Sequence, residues 1–111
     1  MSYDASLGDP PVKVEKHQEG GNIAIGGSVT ANMSITYNYS AYFYNNIPGG
    51  LRILNEKFAR DAIPLLEYAV KKLGTEQEGD YWTACKGNAG YALSILLKWA
   101  KLYPDEKFYI T

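Results

Sequence analysis

Ile35-Thr36-Tyr37-Asn38-Tyr39-Ser40-Ala41-Tyr42-Phe43-Tyr44-Asn45-Asn46 lies inside a longer run, Gly20 to Leu51, that contains no Asp, Glu, Lys, Arg or His. A solvated surface normally carries charge, so a long uncharged, aromatic and Asn-rich run implies burial, a partner interface, or a pocket built on neutral hydrogen bonding. Read as an extended segment from Ser28 to Tyr39, it places Met33, Ile35, Tyr37 and Tyr39 on one face and Ser34, Thr36 and Asn38 on the other. Ser40 then suits the N-cap of a short helix, Ala41 to Asn46, which Pro48-Gly49-Gly50 stops.

Working outward toward the N-terminus, Gly20-Gly21 and Gly26-Gly27 border a short strand, Asn22 to Ile25. Val12-Lys13-Val14-Glu15-Lys16 alternates apolar and charged residues at a period of two, which predicts a strand with one wet face. With Ser2 to Leu7 as its partner and Gly8-Asp9-Pro10-Pro11 as the turn, it reads as a β-hairpin.

Toward the C-terminus, Leu51, Leu54 and Phe58 stand at helical spacing over one or two turns. A longer helix follows, with Asp61 as its cap, Pro64 in its first turn and Gly74 just past its end. Its buried stripe is Ile63, Leu66, Ala69, Val70 and Leu73, and Lys71 and Lys72 face the negative end of its dipole. After an acidic loop, Thr75 to Asp80, Asn88 is placed to cap a final helix ending near Tyr103. Ala89, Ala92, Leu93, Leu96, Leu97, Trp99, Ala100 and Tyr103 cover more than a narrow stripe, so this helix is expected to be largely buried. Lys107 to Ile110 closes the chain as a strand. The fold class is α+β: a small, mostly antiparallel sheet packed against two main helices, in a single domain spanning residues 1–111.

Composition narrows the function. The chain has 111 residues, eleven Lys and Arg, and twelve Asp and Glu, which gives neither half a polyanion-binding field and argues against a long nucleic-acid partner. Cys85 is the single cysteine and His17 the single histidine, so no thiolate cluster and no paired imidazoles are available for a metal. No apolar segment approaches the roughly 20 residues that span a bilayer, and Met1-Ser2-Tyr3-Asp4 does not open like a signal peptide. We therefore expect an intracellular protein with no membrane partner, no cofactor and no metal.

The remaining groups are weighed by chemistry. Cys85 beside Lys86 would be a nucleophile only if His17 came to it; a small semi-buried thiol is the simpler account. Glu76, Glu78 and Asp80 read as a solvated turn. The glycine pairs of Gly20 to Gly27 lack the Lys and Ser or Thr of a phosphate loop. Lys86-Gly87-Asn88 at a helix start offers an anion free amides and the positive end of a dipole. The weight falls on Tyr37, Asn38, Tyr39 and Tyr42, because tyrosine rings stack on bases while Asn reads both donors and acceptors on a heterocycle.

At Gly20-Gly21 through Gly26-Gly27, Ile35-Thr36-Tyr37-Asn38-Tyr39, Asp80-Tyr81-Trp82 and Gly87-Asn88-Ala89, the chain resembles a family of small uncharacterised phage and prophage proteins, over most of its length. The resemblance implies a phage origin and supplies no catalytic residues. It leads to the expectation of a non-enzymatic counter-defence protein in the host cell cytoplasm. Such a protein would sequester a nucleotide-type immune signal or occlude a host defence protein, with Tyr37, Asn38, Tyr39, Tyr42, Lys86, Gly87 and Asn88 at its site. The alternative is a phage structural or assembly module. The length of the uncharged run further predicts a homo-oligomer.

Overall fold

The computed structural model describes residues 2–14, 30–80 and 82–111. Its sheet is built on strand β1 (Ser2–Leu7), which turns Tyr3, Ala5 and Leu7 inward and leaves Asp4 exposed. Strand β2 (Asn32–Thr36) and strand β3 (Phe108–Ile110) flank it, both antiparallel, in the order β2-β1-β3. The register sets Tyr3 opposite Ile35, Ala5 opposite both Met33 and Ile110, and Leu7 opposite Phe108, so every inward residue meets an inward partner. This is the expected α+β arrangement, with a small antiparallel sheet against the helices.

The predicted hairpin is corrected. Both edges of β1 are occupied by β2 and β3, and among the described residues those after the turn form one bridge, Lys13 to Thr30. Pro10 and Pro11 have no N–H to donate to a ladder, and the first donor after them, the Val12 amide, bonds back to the Leu7 carbonyl at 2.9 Å. The Val12 carbonyl then accepts from Ala31 at 2.7 Å, tying this segment to the start of β2. The expected strand Asn22 to Ile25, the two glycine pairs and His17 lie outside the described residues.

β2 also ends sooner than its alternation suggests. The Thr36 hydroxyl accepts from the Asn38 amide at 3.1 Å and caps a 3₁₀ turn, Tyr37–Tyr39, a local bond that competes with continued strand pairing. The turn runs directly into helix α1 (Ser40–Asn46), so Ser40 opens the helix and does not cap it. Its hydroxyl is hydrogen-bonded to that of Tyr3 at 2.9 Å. Leu51–Leu54 is likewise a single 3₁₀ turn, not a helix reaching Phe58, and it buries Leu51 and Leu54.

Helix α2 (Ala59–Leu73) starts before Asp61. Its orphan amides find backbone acceptors: Ala59 donates to the Glu106 carbonyl at 2.7 Å and Arg60 to that of Pro104 at 3.0 Å, the satisfaction that an N-cap side chain would otherwise supply. Pro64 consequently sits past the first turn and forfeits its bond to the Arg60 carbonyl. Ala59, Ala62, Leu66, Ala69 and Leu73 are buried, while Ile63 and Val70 are half-buried. Gly74 ends the helix at φ 76°, its amide bonded to Val70 at 2.8 Å.

Helix α3 (Lys86–Leu102) is buried on several sides through Ala92, Leu93, Ile95, Leu96, Trp99 and Ala100. One apolar cluster joins Tyr3, Leu7, Met33 and Ile35 of the sheet to Phe43, Leu66, Leu96 and Trp99 of the helices. The outer edge of β3 is covered: Phe108 exchanges hydrogen bonds with Lys57 and Glu56, and Ile110 donates to Asn55 Oδ1 at 3.0 Å. Among the described residues no helix is long and apolar enough to cross a membrane.

Leu96 has no exposed surface, so Leu96→Ala is expected to cost about 2–5 kcal/mol, the range for truncating a large buried side chain. Equilibrium denaturation reads this directly, and a loss below roughly 1 kcal/mol would mean that α3 is peripheral to the core.

Candidate functional site

The expected site residues divide between framework and surface. Tyr39 belongs to the framework. The 3₁₀ turn rotates it inward until it is fully buried, with its ring edge-on to Phe43 at 6.0 Å and 83°. Burial pushes its phenol above the ordinary range, and nearby Cys85 and Asp80 act in the same direction. Tyr37 stays half-buried and Asn38 exposed. The extended segment expected to carry Tyr37 and Tyr39 on one face is therefore replaced here by this turn.

Gly87 and Asn88 also serve the framework. Asn88 is wholly buried in the first turn of α3, and Cys85, not Asn88, is the N-cap, its Sγ accepting from the Asn88 amide at 3.4 Å. The Asn88 side chain accepts from the Glu78 amide at 3.0 Å and donates to the carbonyls of Glu78, Asp80 and Thr83 at 2.8, 3.0 and 2.9 Å. At Gly87 and Gly90 the carbonyl oxygens of Glu76 and Gly74 stand where a Cβ would be. The acidic loop thus roofs the start of α3. Instead of holding an anion, Gly87 and Asn88 hold this loop. Lys86 remains exposed at a depression of about 290 Å³ that it shares with Glu76 and Glu78, whose carboxylates oppose anion binding there.

Asp80 organises the loop locally, because its Oδ1 accepts from the Trp82 amide at 2.9 Å and from the Thr83 hydroxyl at 3.2 Å, forming an Asx turn. The Trp82 carbonyl in turn accepts from Asn38 Nδ2 at 3.2 Å. The loop pinned by Asn88 is in this way connected to the Tyr37–Tyr39 turn. Among the described residues no group of three or more His, Cys, Asp or Glu is placed to hold a metal. Tyr42 is half-buried one helical turn away, and its carbonyl accepts from Asn46 Nδ2 at 2.8 Å.

Two features escaped sequence reading. Arg52, from the 3₁₀ turn after α1, lies over the rings of Tyr3 and Tyr37; only the tertiary fold brings these three together. The second is a groove of about 430 Å³ between the C-terminal end of α1 and the middle of α2. Tyr44 and Tyr68 line it, 59% and 54% exposed, with Ile47 and Leu65 also contributing and the amides of Asn45 and Asn46 on the α1 side. Tyr44 leans on Gly50, where a Cβ would come within 2.7 Å of its ring. Lys72, one turn beyond Tyr68, places its ammonium 5.6 Å from that ring's centroid. Within the Tyr37 to Asn46 segment, the groove uses the half beyond Tyr42. Pairing Tyr44 with Tyr68 required knowing how α1 packs on α2. Comparisons with protein-family models, curated proteins and solved structures find no match.

Two outcomes follow from the buried groups. Asn88→Ala leaves the Glu78 amide and three carbonyls without this partner, so it is expected to cost about 2–4 kcal/mol by denaturation; Asn88→Asp, which turns carboxylate oxygens toward three carbonyls, should not rescue it. For Tyr39, the unfolded phenol ionises near pH 10 while the folded one keeps its proton to higher pH. Its contribution is thus complete below about pH 10 and is lost as pH rises beyond it. Alkaline denaturation of Tyr39→Phe should show a shallower decline above that pH than the parent protein.

Proposed function

We propose that this is a non-enzymatic binding protein of phage counter-defence, acting in the host cytoplasm by sequestering a nucleotide-type immune signal. The observation that carries this reading is the groove between α1 and α2, walled by two exposed tyrosines. Its volume falls within the range of small-molecule sites. Tyr44 and Tyr68 offer faces for a planar base, Asn45 and Asn46 offer neutral donors and acceptors, and Lys72 supplies a cation at the Tyr68 end. Such a set suits holding a heterocycle without transforming it. The phage setting rests on the family resemblance alone.

A second reading is favoured by a different observation. Tyr44, Ile53, Tyr68 and Leu102 are large apolar side chains left exposed, and tyrosines are common anchors of protein interfaces. On this reading the protein occludes a host defence protein or works as a phage assembly module, and it self-associates. Tyr37, Asn38, Tyr42 and Lys86, the expected site residues that retain exposure, would then be contacts for the partner.

Calorimetry with a panel of cyclic nucleotides and ADP-ribose derivatives separates the two. Binding of one member should weaken by about 1–3 kcal/mol in Tyr68→Ala, the value of one stacked base, with melting unchanged. If the panel shows no binding while the protein still blocks a defence system, sequestration is excluded in favour of occlusion. Light scattering at micromolar concentration, with a clean monomer as the contrary result, tests self-association.

A further inference from the structure

Arg52 is exposed, yet its guanidinium is held from two sides. Cζ lies 4.9 Å from the centroid of the buried Tyr3 ring and 5.5 Å from that of Tyr37. The two rings meet edge to face at 4.7 Å and 87°. Nη2 donates to the Tyr37 hydroxyl at 2.9 Å. These contacts restrict the rotamers of a long side chain before any ligand arrives, which lowers the entropic cost of binding one. Arg60, by contrast, is neutralised by Asp105 at 2.8 Å, and Lys101 by Glu67 at 3.2 Å. Arg52 has no carboxylate partner among the described residues. A positioned cation bedded on neutral phenols is a receptor arrangement more than a stabilising ion pair.

We propose that Arg52 and Tyr37 together bind a phosphate group. The Tyr37 oxygen accepts from Arg52, which leaves its own proton free to be donated outward. The site therefore presents an edge of the guanidinium fork and one phenol O–H. A carboxylate has two oxygens, and the fork alone satisfies both. A tetrahedral phosphate brings a third oxygen, and the phenol supplies the donor for it. Arg52 and Tyr37 do not line the groove between α1 and α2, so this inference stands whether or not a heterocycle occupies that groove.

The test follows the Arg52 Nε–H signal by nuclear magnetic resonance during titration of the whole chain with inorganic phosphate, acetate and a nucleoside monophosphate. Phosphate is expected to give a saturable shift of that signal, together with shifts of the backbone amides of Tyr37 and Ile53; in Arg52→Gln these amide shifts are expected to be lost with melting unchanged. Tyr37→Phe deletes one hydrogen bond to a charged ligand and should weaken phosphate roughly tenfold or more, with acetate weaker than phosphate by a similar factor. Equal affinity for phosphate and the nucleotide identifies the free ion as the ligand; tighter nucleotide binding identifies a phosphate carried on a larger molecule, and either result sustains the site. Absence of saturation, acetate binding as tight as phosphate, or an unchanged affinity in Tyr37→Phe overturns the proposal.

Discussion

The backbone from Gly74 to Glu76 lies directly against the first turns of α3, and only the missing side chains of Gly87 and Gly90 allow that approach. Much of the surface near the Tyr37–Tyr39 turn depends on this contact. It brings the acidic loop close enough for Asn88 to bind it from beneath through the Glu78 amide and the Glu78 and Asp80 carbonyls, with a further bond to the Thr83 carbonyl. The pinned loop fixes Asp80, whose carboxylate organises Trp82, and the Trp82 carbonyl receives Asn38. A polar path therefore runs from the start of α3 to the end of β2. Because Asn88 is fully buried, its own side-chain amide depends on these backbone partners for every hydrogen bond it makes.

The periodic parts of the fold were legible in the sequence. α3 announces itself because Leu93, Leu96, Ala100 and their neighbours repeat at helical spacing, and β1 because Tyr3, Ala5 and Leu7 alternate with polar residues. What sequence patterns do not carry is the identity of distant partners. The alternation of Val12 to Lys16 says nothing about whether β1 still has a free edge, and both of its edges are taken. Side-chain to backbone competition is equally silent. Thr36 continues the β-like pattern perfectly well, yet its hydroxyl ends the strand, which turns Tyr39 inward and leaves Asn38 outside. Asn88 has the right residue type and place for a cap, and the fold gives that place to Cys85. Of the candidate surface features, the aromatic half contributed by α1 lay in the segment singled out at the start, whereas Arg52 and Tyr68 came from elsewhere and had no local signal.

The absence of charge from the later part of the Gly20 to Leu51 run has a twofold physical origin. Tyr39, Phe43, Ile47 and Leu51 recur every four residues and are all buried, so a charge there would meet a low-dielectric interior. Tyr44, next to Phe43, points the other way into solvent. The same short helix thus contributes one face to the core and one aromatic wall to a groove, and neither use tolerates a charged residue in its place.

The central position of β1 governs how the chain reaches this state. Ala5 faces Met33 on one side and Ile110 on the other, so one of its two neighbours is synthesised near the start of the chain and the other far along it. The α2–α3 pair can assemble from contacts close in sequence, while the sheet waits for a long loop to close and gains nothing until it does. Before β3 arrives, one edge of β1 carries unpaired backbone groups, the kind of exposed template that recruits other chains. β1 and β2 thus precede both long helices in the chain, whereas β3 follows them, so the β1–β3 closure comes last, with pairing of the open edge to another chain as the competing route.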